Sequence, residues 1–74
     1  MAKAAHPSLR RVGDRIRRAR RQRAMSQEAL ADAAGLDRSY MSGIERGVRN
    51  ITLLKLFAVA KALKVNAREL LSDE

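Results

Sequence analysis

Cysteine is missing from this 74-residue chain, so neither a disulfide framework nor a thiolate metal site is open to it. That absence fits a reducing, cytoplasmic setting. Tryptophan is absent too, and Tyr40 and Phe57 are the only aromatic residues. Leucine, isoleucine, valine, methionine and alanine must therefore supply the core. A long apolar run is also lacking. The richest stretch, 51–65, is broken by Lys55, Lys61 and Lys64, and residues 1–12 contain no apolar segment. These gaps argue against a membrane span and a secretory signal. Acidic residues are scarce, eight against sixteen lysines and arginines, which leaves a net charge of +8. In a chain with room for one small domain, such an excess implies an anionic partner, nucleic acid or a membrane surface.

What is present is helical. No period-two pattern persists, and no internal repeat is visible. Residues 1–7 read as a flexible N-terminal arm, 8–72 as the domain and 73–74 as a C-terminal tail. Ser8 can cap a first helix in which Leu9, Val12, Ile16 and Ala19 recur at spacings of three and four. The rest of that helix is basic, with eight arginines between Arg10 and Arg23 opposed only by Asp14. Ser26 caps a second helix, with Glu28 in its first turn and Gly35 as its stop. Asp37 caps a third, which Gly47 ends. Thr52 caps a fourth, where Leu53, Leu56, Phe57, Ala60 and Leu63 form an apolar stripe expected to fill the core. "NARE", Asn66–Glu69, opens a last short helix as a capping box.

The second and third helices meet at "AAGLD", residues 33–37, a turn short enough for helix-turn-helix geometry. Gly35 can take the positive φ such a turn needs, and Ala31 is small where two backbones must approach. Leu30, Leu36, Met41 and Ile44 fall on the inward face. Arg38, Ser39, Ser42 and Gly43 are left facing outward. A major groove admits a helix, an arginine fork can select guanine, and serine hydroxyls can bond bases or phosphates. Gly43 has two readings: close approach to DNA, or a small residue tolerated on a solvated face.

From Val12 to Leu71 the sequence resembles the phage-repressor-like (Cro/CI-type, XRE) DNA-binding family. The likeness is carried by "SQEALADAAGLDRSYMSGIERGVRN", in which Gln27, Ala31, Gly35, Ile44, Glu45 and Gly47 fall in register. "LDRSYMSGIERGVRN" is most similar to the controller proteins of restriction–modification systems. The resemblance implies an all-α fold, a compact five-helix bundle with a central helix-turn-helix whose third helix enters the major groove. It implies base readout by Arg38, Ser39 and Ser42. Gln27, Tyr40, Gly43, Arg46, Arg49 and Asn50 are then expected at the DNA backbone or groove edge, a simple polar turn being the lesser alternative for Arg49 and Asn50. Arg20 and Glu45 are expected to form a partly buried structural ion pair. Family dimers pair through the C-terminal region, so Val65, Leu70 and Leu71 become candidate dimer contacts; the alternative is that Leu70 and Leu71 fold back onto their own core.

The function so implied is sequence-specific transcription regulation by a homodimer on double-stranded DNA, with no cofactor, metal or small-molecule ligand. An antitoxin-type interaction protein on the same domain is the second reading, set back by the lack of residues beyond the last helix. A basic amphipathic helix lying on a membrane ranks third, because its apolar face lacks aromatics. Catalysis has no foothold: no Ser–His–acid set, metal-ligand spacing or phosphate-binding glycine loop occurs, and the lone His6 falls in the expected arm. Most arginines of the first helix read as a solvated face, with one or two touching phosphate.

Overall fold

The computed structural model describes residues 6–71, which form five α-helices with no strand among them. Residues 1–5 of the expected arm, residue 72 and the tail 73–74 lie outside the described residues. The first helix, α1, spans Pro7–Gln22 and starts earlier than its sequence suggests. His6, not Ser8, is its N-cap: the Ser8 amide donates to His6 Nδ1 at 3.2 Å. Pro7 fits the first turn because a proline there gives up an N–H that has no helical partner anyway. The His6 amide also donates to the Gly47 carbonyl at 3.2 Å. His6 and Pro7 thus belong to the folded domain and not to an arm.

The next helices are α2 (Gln27–Ala34), α3 (Arg38–Arg46) and α4 (Leu53–Leu63). Their caps are Ser26, Asp37 and Thr52, each accepting from the amide three residues on, at 3.0, 3.2 and 3.2 Å. Gly35 and Gly47 close α2 and α3 with φ of 71° and 75°, the left-handed conformation that glycine adopts without penalty. In α5 (Ala67–Leu71) the Asn66 amide donates to Glu69 Oε2 at 3.1 Å, the return arm of a capping box.

α1 packs mainly on α3, α2 on α4, and α5 closes the bundle against α1 and α4. Ile16, Leu30, Met41, Ile44, Leu56, Val59, Leu63 and Leu70 are enclosed at the centre. Two expectations fail here. Leu53 and Phe57 do not enter the core; they are 65% and 52% exposed. The run "LLKLFAVAKAL" is apolar nearly all round, so it carries two overlapping stripes, and the bundle uses Leu56, Val59, Ala60 and Leu63. Leu70 is the second correction. It is buried with the core cluster and cannot contact a partner. In α5 the inward positions are Ala67 and, three residues on, Leu70, which is the one fully enclosed. Among the described residues no helix is long and apolar enough to cross a membrane.

Gly13, which carries no signal in the sequence, sets the closeness of the α1–α3 crossing. A Cβ there would meet the Ile44 carbonyl and lie 2.6 Å from the Glu45 carbonyl oxygen. Backbone meets backbone at this point, and only glycine fits.

Candidate nucleic-acid interface

Helix α3 owes its orientation to its inner face. Met41 and Ile44 are buried in the core, and Glu45 turns toward α1. Glu45 accepts from Arg20 Nε at 2.7 Å and Nη2 at 3.0 Å, a two-pronged pair, while Arg20 Nη1 donates to the Met25 carbonyl at 2.9 Å. The pair is nearly dry: the Glu45 side chain is 2% exposed and that of Arg20 11%. The hydrogen bond to Glu45 raises the Arg20 pKa above its ordinary value, against the lowering effect of burial. Gln27 joins them, its Nε2 donating to Glu45 Oε1 at 3.1 Å. The first residue of α2 is thereby tied to the last turn of α3, and the two helices of the motif are locked together. The family resemblance points Gln27 at a phosphate; within the protein, its amide nitrogen also donates to Glu45.

The outer face of α3 follows from the same helical period. Arg38, Ser42 and Arg46 recur every four residues, with Ser39 beside them. Arg38, Ser39 and Arg46 are exposed, and Ser42 is half-buried. Gly43 departs from expectation, because it is buried and not at an open surface. The Cγ of Arg49 lies where a Gly43 side chain would begin. The glycine makes room for the arginine of the following loop, which answers its presence without any appeal to DNA. The Val48 amide donates back to the Gly43 carbonyl at 3.0 Å and turns the loop under α3.

That loop is organised by Tyr40. Its hydroxyl donates to the Asn50 carbonyl at 3.4 Å. The Lys55 ammonium stands 4.7 Å from the ring centroid and the Arg49 guanidinium 5.9 Å, within reach of the ring's negative face. Tyr40, Arg49, Asn50 and Lys55 thus make one cationic cluster beside the end of α3. Lys55 is the member that the sequence does not announce. The available signal is its position in the first turn of α4, where the helix dipole disfavours a cation and some other partner is therefore expected.

Asp14 of α1 is occupied. It holds Arg17 at 2.8 Å and Arg18 at 3.1 Å. Its carboxyl is kept below the ordinary value first by the hydrogen bond from Arg17, while desolvation acts the other way. Of the candidate dimer contacts, Leu71 is 51% exposed, Val65 is packed partly against the core, and Leu70 is enclosed. The larger exposed apolar group is Leu53, Leu54 and Phe57 in the first turns of α4.

A family model described as helix-turn-helix matches residues 16–70. Control protein C.MunI of Mycoplasma sp is 38% identical over 64 residues, covering 85% of this chain and 86% of that protein. The crystal structure of the restriction-modification controller protein C.AhdI from Aeromonas hydrophila superposes with a TM-score of 0.86 at 45% identity, covering 88% of this chain and 98% of that one. The controller C.Esp1396I, solved bound to a 19 base pair DNA duplex, gives a TM-score of 0.81 at 38% identity over 88% of this chain and 87% of its own.

Proposed function

Because the chain belongs to the helix-turn-helix family, we propose that it is a DNA-binding transcription regulator of the restriction–modification controller type. It works in the cytoplasm, as a homodimer on a near-palindromic operator. The observation that carries this reading is the outer face of α3. Arg38, Ser39 and Arg46 are unobstructed on a helix whose inner face is clamped by Met41, Ile44 and the Glu45–Arg20 pair. A rigid helix with polar side chains at its N-terminal end suits a major groove. Arg38 selects guanine through its fork, and Ser39 and Ser42 bond neighbouring base edges or phosphates. Tyr40, Arg46, Arg49 and Asn50 hold backbone beside the groove, with Lys55 added to them. Gln27 contributes by positioning α2 against α3.

Arg38→Ala is expected to cost about 1–3 kcal/mol of operator binding and to relax base preference at one position in each half-site. Competition binding between DNA from upstream of the protein's own gene and mixed-sequence DNA reads this directly. Equal weakening on both DNAs would remove Arg38 from base readout.

Two recognition helices roughly 34–36 Å apart, one DNA turn, would double the site read. Leu53, Leu54 and Phe57, with Leu71, supply the apolar surface for a two-fold interface in place of the enclosed Leu70. Leu54 is 80% exposed, so Leu54→Glu should leave the fold intact. The variant is expected to sediment as a monomer at micromolar concentration and to bind operator at least about tenfold more weakly, or 1.4 kcal/mol. A variant that still sediments as a dimer would move the interface elsewhere.

A further inference from the structure

The arginines of α1 are not spread evenly, and one flank of them meets α3. We infer that the cleft between α1 and α3 holds a DNA phosphate, carrying the footprint from the bases under α3 onto the backbone beside it. This rests on the DNA-binding reading above and extends it to α1.

The cleft has a volume of about 410 Å³ and is lined by Arg10, Arg11 and Arg17 of α1, Arg46 of α3, and the acids Asp14 and Glu45. Both acids are already bound: Asp14 by Arg17 and Arg18, Glu45 by Arg20 and Gln27. Arg10 and Arg46 have no acidic partner among the described residues. The cleft is therefore cationic after its internal pairs are made. A guanidinium fork matches phosphate oxygens in two directions, which suits several arginines converging on one space.

Position supports the same ligand. Arg46 lies one turn beyond Ser42 on the outer face of α3. Arg10 abuts the end of that helix: a Cβ on Gly47 would lie 2.8 Å from the Arg10 backbone nitrogen. The cleft thus adjoins the groove-facing surface. The C-terminal dipole of α3 attracts a cation there, but it does not require four guanidinium groups on one opening. Arg10 and Arg17 are seven residues apart and share the α3 side of α1. Arg15 and Arg18 face α5 instead, beside Val65, Glu69 and Leu70. The pairs Arg10 with Arg17 and Arg15 with Arg18 carry equal charge and differ in what they face.

That symmetry provides the test. The wild type, Arg10→Gln/Arg17→Gln and Arg15→Gln/Arg18→Gln are titrated with a mixed-sequence duplex of about 30 base pairs over a salt series. Each double variant loses two charges and one of the two arginines on Asp14, so net charge is matched. The log–log salt slope of Arg10→Gln/Arg17→Gln should become shallower by about 1–2, near 0.9 for each phosphate left without its arginine. The α5-side double should change it by less than half as much. Arg10→Gln alone, which leaves Asp14 paired, should lower the slope by about 0.9 and covers the case where the double variant unfolds. Equal slopes for the two double variants, or an unchanged slope for Arg10→Gln, would overturn the phosphate site while leaving DNA binding by α3 intact. Absence of salt-dependent binding by the wild type would instead overturn the DNA-binding reading itself.

Discussion

Glu45→Ala is expected to destabilise the protein by about 3–5 kcal/mol, a large fraction of what holds it folded. A domain of this size has only about 4–11 kcal/mol of stability in total, at 0.05–0.15 kcal/mol per residue. The substitution strands the Arg20 guanidinium in a site where its side chain is 11% exposed and where one carbonyl, that of Met25, remains as partner. It also releases Gln27 and so frees the start of α2 from α3. Arg20→Ala should cost a similar amount for the mirror reason, since Glu45 is the drier partner. The double change Arg20→Met/Glu45→Leu removes both charges together and should recover most of the loss, because a buried pair gains little over well-packed apolar groups. Urea unfolding of the four proteins forms a double-mutant cycle. A loss below about 1 kcal/mol for Glu45→Ala would mean that water reaches the pair and screens it.

Gly13→Ala should lower stability by about 3 kcal/mol, shifting Tm by roughly 12–24 °C for a domain of this length. The sign is the informative part. In an exposed helix interior the same change stabilises by up to about 1 kcal/mol through helix propensity. Here the new Cβ would collide with the Ile44 carbonyl and stand 2.6 Å from the Glu45 carbonyl oxygen and 2.8 Å from its carbon. These are backbone atoms of the proposed recognition helix and cannot rotate away, so α1 and α3 must separate. Separation also lengthens the Arg20–Glu45 pair, and DNA binding should fall along with stability. Thermal unfolding followed by circular dichroism measures the first effect. An alanine variant as stable as wild type would show that the crossing has slack.

Much of the fold was legible because its signals are local. Ser26, Asp37 and Thr52 each cap a helix through an amide three residues away, and Gly35 and Gly47 stop helices at the residue where the chain must turn left-handed. A cap, a stop and a turn are all decided within one helical turn of sequence. The spacing between Gly35 and Asp37 accordingly placed the helix-turn-helix, and Met41 and Ile44 oriented its second helix.

The candidate site divides along the same line. That Arg38, Ser39 and Ser42 face away from Met41 and Ile44 follows from helical period alone. What stands beside them does not. Arg20 and Glu45 are 25 residues apart, and no spacing rule joins them; the pair was anticipated only by resemblance to a family. Gln27 with Glu45, Gly43 with Arg49, and Lys55 with Tyr40 were not anticipated at all, since each links elements whose mutual approach depends on packing. Sequence by itself determined five helices, the caps of the second, third and fourth, the glycine stops of the second and third, and the polar face of the third. Tertiary structure decided which stripe of "LLKLFAVAKAL" went inward, that Leu70 closes the core, and that Gly13 lets α1 reach α3. An apolar residue states a preference for burial, but only the positions of the other helices determine which apolar residues are buried.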